Sequence, residues 1–224
     1  MKKLFYLTII LAIGLTLSVT LAFPKNPQIN ISNPNFGPSV EIPDTNSNFG
    51  KALVMAARKQ IGVVTEYDTS YFAKGEVPEN SGVCADVIWR ALEEMHYDLR
   101  EKLDEDIIKN PADYPNVNKP DSAIDFRRVK NLKVFFDKYA ERITTEVIPG
   151  NIENLSKWQA GDLVTFDTLP TNHLTHIAII SDKRRSDGLP LLIHNYGLGT
   201  VETDYLTTWP TKITGHYRVT TSTP

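Results

Sequence analysis

One cysteine, Cys84, occurs in 224 residues. That scarcity excludes an internal disulfide and a thiolate zinc cage, since both need several. Nor is there an excess of basic charge: 24 Lys and Arg stand against 27 Asp and Glu, a net charge of −3. The basic residues are spread along the chain, which argues against a phosphate-tracking nucleic-acid binder. There is no repeat at a fixed period and no long run of one charge. Long apolar runs are confined to one, Leu4 to Leu21, so a polytopic membrane protein is excluded. With 41 % apolar and 23 % charged residues, wholesale disorder is excluded too. The length predicts one substantial domain.

The first residues set the compartment. Met1-Lys2-Lys3 is followed by the apolar run, then Ala22 and the polar stretch Phe23-Pro24-Lys25-Asn26. This is the layout of a secretory signal over residues 1–22, with the small Thr20 and Ala22 suiting a cleavage site. The run is about the ~18 residues at which an uncleaved anchor is the alternative. Either way the remainder is expected to be exported, to the periplasm or cell envelope. No cysteine lies near the cleavage point, so a lipid anchor is excluded. Without Lys2 and Lys3 the net charge moves from −3 to −5, which disfavours adhesion to an anionic membrane surface. Membrane contact is then expected only through an N-terminal segment that is kept. Residues 23–48, with five Pro and six Asn after Phe23, read as an extended tether. The folded domain is expected over residues 49–224.

Within it, Phe49 to Ile61 is rich in good helix formers. Ser81 to Met95 predicts a second helix, with Ser81 as its cap and Val87, Ile88, Ala91, Leu92 and Met95 as its stripe. Asp98 can cap a third, carrying Leu99, Leu103 and Ile107 on one face. A fourth is expected near Val129 to Tyr139. Strand-like runs follow: Ile143–Ile148, Asp162–Asp167, His176–Asp182, Leu189–Tyr196 and Ile213–Val219. Helices first and strands later predict an α+β domain with a mainly antiparallel sheet.

Most free cysteines are small buried hydrophobes. Cys84 differs in two respects: an exported lone thiol risks oxidation, and this one sits in the first turn of a predicted helix. There, unpaired N–H groups and the helix dipole favour a thiolate, so a lowered pKa is expected. A nucleophilic thiol needs a base. His96 reads as a surface residue, His216 as structural, and His173 lies in a polar turn. His176 opens one strand and His194 closes the next. If the hairpin is symmetric about Arg185, His176 faces His194 on one side of the sheet. A turn centred on Asp187-Gly188 would instead put His176 opposite Gly199.

Three imidazoles, His173, His176 and His194, could alternatively hold a zinc ion. Residues three apart on a strand point to opposite faces, however, and there is no His-Glu-x-x-His helix. Asp86 and the run Asp125-Phe126-Arg127-Arg128 read most simply as helix caps and surface. The functional alternative gives Arg127 and Arg128 a substrate carboxylate to bind, because the guanidinium fork matches that group.

Gly82-Val83-Cys84-Ala85-Asp86-Val87, Gly161-Asp162-Leu163-Val164, His176-Ile177-Ala178-Ile179 and His194 together resemble the NlpC-type, papain-like cysteine peptidases of bacterial cell walls. A closer likeness is to domain of unknown function 1287, in the same clan. It is carried by Ile124-Asp125-Phe126-Arg127-Arg128-Val129, Ser181-Asp182, His194-Asn195 and Ile213-Thr214-Gly215-His216-Tyr217-Arg218, and it spans Ala52 to Val219. The resemblance implies an α+β fold with helices on an antiparallel sheet of about five strands and the catalytic cysteine at a helix N-terminus. It implies amide hydrolysis, with Cys84 as nucleophile, His176 as base and His194 as its orienter. No cofactor or metal is implied. The substrate implied is peptidoglycan or another amide-containing envelope polymer. Tyr67, Asp86, Arg127, Arg128 and Asn195 are the candidates for binding it. Departures from the pattern, Ala85 and Asp86 where serine and glycine usually stand, leave the bond cleaved open. A transferase or a non-catalytic wall-binding protein is the alternative.

Overall fold

The computed structural model describes residues 40–43, 46–168, 173–208, 211–220 and 223, with the side chains of 168, 173, 174 and 211 outside that description. The expected signal segment and most of the expected tether lie outside the described residues. Among those described, no helix is long and apolar enough to cross a membrane.

The chain enters as an arm. Val40 donates its N–H to Ser186 O, Ile42 packs on the core, and Asn46 Oδ1 accepts from Ala160 N at 2.7 Å. Within the expected tether, Val40, Ile42 and Asn46 thus find hydrogen-bonding and apolar partners on the domain. Helix α1 (Asn48–Arg58) starts where Ser47 accepts the Gly50 N–H. Two short parallel strands follow, β1 (Glu66–Tyr67) and β2 (Ser81–Gly82). Helix α2 (Cys84–Glu94) comes next, then α3 (Leu99–Lys109), capped by the Asp98 side chain on Glu101 N as expected. A 3₁₀ turn, Asp125–Arg127, leads into α4 (Val129–Tyr139), whose bounds match the sequence expectation. The α2 start is a correction. Ser81 lies in β2, Val83 is the N-cap, and the Asp86 carboxylate takes the Val83 N–H at 2.7 Å, doing the work a serine cap would do.

The rest is mostly strand. After β3 (Glu141–Arg142) and the one-turn helix α5 (Ile152–Leu155) come β4 (Leu163–Thr168), β5 (His173–Arg184), β6 (Pro190–Asn195) and β7 (Thr200–Thr203). The short helix α6 (Tyr205–Thr208) and β8 (Thr211–Arg218) complete the order. Six strands form one antiparallel sheet in the order β3-β8-β4-β5-β6-β7. The expected strand over Ile143–Ile148 is not one. Glu146 O accepts from Asn154 Nδ2 and Trp158 Nε1, and Ile148 N donates to Asn154 Oδ1, so side chains around α5 replace the ladder.

Alternation on the strands builds two cores. Leu163, Ile177, Ile179 and Ile193 pack with α1, α2 and α4; Val164, Phe166, Ala178, Ile180 and Leu192 pack with Leu155, Trp158 and Leu206 on the other side. Gly161, at φ +85°, lets α1 approach the start of β4: a Cβ there would lie 2.3 Å from Gly50 Cα.

Candidate active site

The site is assembled at the N-terminus of α2 and the start of β5. Tyr67 on β1 is paired with Gly82 on β2, two residues before Cys84. Asn195, fully buried at the end of β6, donates through Nδ2 to Glu66 O at 3.1 Å and Gly82 O at 2.9 Å. It thus ties the Tyr67 and Cys84 segments to the strand that carries His194. Its amide is spent on main chain, so it is a brace and not a binding group.

Arg127 is a brace as well. It is 6 % exposed, its Nε lies 3.0 and 3.1 Å from the two Asp86 oxygens, and its other nitrogens donate to Ser70 O and Asp68 O. Asp86, fully buried, divides its carboxylate between Arg127 and the α2 cap. Asp86 and Arg127 thus spend hydrogen bonds on holding the start of α2, while Arg127 also lines the cleft that contains Cys84. Gly82 is part of this packing, since a Cβ there would meet Asp86 Oδ2 at 2.9 Å. Arg128 remains available. One of its nitrogens pairs with Asp125 at 3.0 Å, and the side chain is half exposed.

Cys84 is 2 % exposed. Its sulfur lies 3.6 Å from Thr175 O and is approached by the N–H groups of Ile177 and Ala85 and by the Tyr67 hydroxyl. The thiol therefore touches the main chain on both sides of His176. Burial pushes its pKa up to about 11; the Asp86 charge adds to that, and the donors just named pull against it. The lowered pKa expected from the helix dipole is thereby overturned, because desolvation of the thiolate exceeds what the helix end supplies. Tyr67 is likewise raised, by burial first and then by Cys84.

His176 and His194 are brought together. Their Nε2 and Nδ1 atoms are 2.8 Å apart, with both rings buried. Neither simple hairpin register is the observed one. Ile179 pairs with Ile193 and Ile180 with Leu192, a register about Ser186, while nearer the turn Arg184 pairs with Pro190 after a register shift. His194 is then a diagonal neighbour of His176, two residues along on the same face and within reach of an imidazole. Phe166, paired with His176, and Tyr205 back the rings. Burial, with the facing His194, drives the His176 pKa well down, and burial takes His194 down to about 3. Both are neutral at pH 7. His176 Nε2 is engaged with His194, and the thiol touches the main chain on either side of His176.

The zinc arrangement needs imidazole nitrogens converging on one point. Here those of His176 and His194 face each other, and the other nitrogen of His194 meets Thr203 at 2.8 Å. The His173 side chain lies outside the described residues. His216 is structural, as expected: it bridges Thr144 O and Asp162 and stacks on Trp158. His96 is exposed, in a left-handed conformation just past the end of α2.

A cleft of about 310 Å³ takes in Cys84; Tyr67, Thr175, Arg127, Arg128, Lys130 and Asn131 are among its lining, and among the described residues no Asp or Glu lines it. Lys130 and Thr175 are residues the sequence did not single out, since nothing in their spacing marks them.

Fold and site define an α+β protein with one buried thiol at a helix N-terminus and a buried histidine pair on the adjoining strands. The chain belongs to the family DUF1287, a domain of unknown function, whose model matches residues 54–219. It is 38 % identical over 209 residues to the uncharacterized protein YijF of Escherichia coli K12, covering 90 % of this chain and 95 % of that one. A solved N-acetylmuramoyl-L-alanine amidase from Bacteroides uniformis overlaps with a TM-score of 0.43 at 14 % identity, over 76 % of this chain and 98 % of that one. A likeness that distant carries no functional argument.

Proposed function

We propose that this protein is an exported cysteine hydrolase of papain-like, NlpC-type architecture that cleaves an amide bond in the peptide stems of peptidoglycan. The observation that carries the reading is the buried His176–His194 hydrogen bond beside a thiol seated against residues 175–177. Cys84 attacks the carbonyl carbon while its proton passes to His176. His194 holds the His176 ring and stabilises the imidazolium as it forms. The tetrahedral oxyanion is received by the Cys84 N–H and the Tyr67 hydroxyl. His176 then returns the proton to the leaving amine, and water releases the acyl group.

The substrate side is argued from charge. Arg128 and Lys130 line a cleft that holds no carboxylate among the described residues, in a chain whose net charge is −3. That suits a substrate with a free carboxylate, as peptide stems have. Digestion of purified muropeptides by the protein, read by mass, tests the reading. New amide-hydrolysis products that vanish with Cys84→Ala are expected. Full hydrolysis by a folded Cys84→Ala variant, or loss of activity to chelator, would sink it. An acyl-transfer product would replace the hydrolase by a transferase.

A further inference from the structure

Of the neighbours His194 and Asn195, only the first has a part in the proposed chemistry. Successive residues on a strand point to opposite faces. His194 turns to the face of Ala178 and Leu192, and Asn195 shares the parity of Ile193, on the face where α2 and Cys84 pack. There its Nδ2 donates to two carbonyl oxygens at once, Glu66 O at 3.1 Å and Gly82 O at 2.9 Å, while its Oδ1 accepts from Gly197 N at 3.2 Å. We propose that Asn195 is a positioning residue of the site: by gripping the main chain beside Tyr67 and beside Cys84 with one amide, it sets the Tyr67 hydroxyl against the thiol and the oxyanion. The inference rests on reading Cys84 as nucleophile and Tyr67 as an oxyanion donor.

The need for such a grip follows from the size of the element it holds. Strands β1 and β2 pair over two residues each, Glu66 with Ser81 and Tyr67 with Gly82, in a parallel ribbon separate from the six-stranded sheet. Two strands alone are marginal in water, and a parallel pair is the weaker kind. Thr200 N donates to Val64 O at 2.8 Å, which fastens the approach to β1 onto β7, three residues before Tyr67. Asp68 N reaches Gly82 O at 3.2 Å, a bond between the two segments themselves. Asn195 links both segments to the sheet next to the residues that matter. The Tyr67 hydroxyl approaches the Cys84 sulfur, and both residues line the cleft. A hydroxyl at the end of a long side chain follows every shift of so short a strand, and about 1 Å of misplacement can cost ~10²-fold in rate.

Asn195→Ala removes the amide. On muropeptide hydrolysis its kcat should fall roughly 10- to 100-fold with KM within about threefold, because stabilisation of the transition state is lost and substrate binding is not. Tyr67→Phe should lower kcat by a similar factor. Adding Asn195→Ala to it should cost no more than about threefold further, since the hydroxyl that Asn195 sets is already gone. Gln60→Ala is the control for lost stability alone. Gln60 is also buried and donates Nε2 to Val87 O of α2 at 2.9 Å, outside the cleft lining, so its kcat should stay within about threefold of wild type. Amide hydrogen exchange reads the seating without turnover. The N–H groups of Glu66 and Asp68, which donate to Asn80 O and Gly82 O, should exchange at least about tenfold faster in Asn195→Ala than in wild type or Gln60→Ala. If Asn195→Ala does not fold, Asn195→Ser, which keeps one donor, takes its place in both measurements. Losses in kcat that multiply in the double variant, or unchanged exchange in a folded Asn195 variant, overturn the proposal. If the wild-type protein shows no Cys84-dependent turnover, the hydrolase reading falls by itself. The exchange rates still decide whether Asn195 sets the Tyr67 and Cys84 segments.

Discussion

At pH 7 a thiol held near 11 is protonated in almost every molecule, and histidines driven well below their usual range are uncharged. The resting site is thus neutral, unlike a thiolate–imidazolium pair, and in the proposed reaction the proton leaves sulfur only as attack proceeds. Alkylation of Cys84 by iodoacetamide should therefore climb about tenfold per pH unit from 7 to 10, because the thiolate is the reacting form. A rate that levels off below pH 8 would contradict the neutral site. Arg128 makes the second residue-scale prediction. Arg128→Gln should raise KM for carboxylate-bearing muropeptides roughly three- to tenfold and leave kcat nearly unchanged, since it removes binding shared by ground and transition states. An equal fall in kcat would place Arg128 in the chemistry instead. At this scale the sequence was informative where chemistry is local. Cys84 at a helix start and two histidines of matching strand parity could be read from spacing, even though the register was two residues off. The Arg127–Asp86 pair spans 41 positions and leaves no periodic trace, so its bracing role could not be read.

Among the elements, α2 carries the most consequence, because its first turn holds the proposed nucleophile with no serine, threonine or asparagine at the cap. The Asp86 carboxylate and the Arg127 guanidinium supply what is missing and also pin the loop at Asp68 and Ser70. Arg127→Ala would leave a buried carboxylate without its counter-charge, which costs about 3–5 kcal/mol. Urea unfolding should show that loss. A variant as stable as wild type but with a raised KM would return Arg127 to the substrate. Helices α1, α3 and α4 were legible because each combines a spaced apolar stripe with little else competing for the chain. The run Ile143–Ile148 misled because its β-branched residues favour a strand, while Asn154 and Trp158, from beyond the next turn, take its hydrogen bonds. Strand β7 was missed for the opposite reason. Four residues after the Gly197-Leu198-Gly199 turn are too few for alternation to register, although Thr200-Val201 is β-branched.

For the molecule as a whole, strand parity puts the two imidazoles on the sheet face of Phe166, Ala178 and Leu192, whereas Cys84 packs with the α1–α2–α4 core. Folding must bury both rings without protonating them, and that couples stability to pH. An unfolded histidine takes up a proton as pH falls through about 6.5. In the folded protein His194 stays neutral down to about 3, and His176 is also held well below its ordinary range. Between those values the unfolded state binds more protons, so stability falls as the solution is acidified, by about 1.4 kcal/mol per pH unit for each such histidine well below pH 6.5. The carboxylates with lowered values, Asp68, Asp106, Asp182 and Glu202, act in the same direction but only below about pH 4.5, the ordinary carboxylate range, while the raised Glu93 and Asp104 oppose it. From pH 6.5 to 5 the imidazoles are therefore the groups whose burial lowers stability on acidification. Urea midpoints should drop across it in the wild-type protein, and His194→Asn should flatten that drop by about half. A wild-type midpoint that stays constant from pH 6.5 to 5 would mean the rings protonate in place, and the neutral resting pair of His176 and His194 would have to be abandoned.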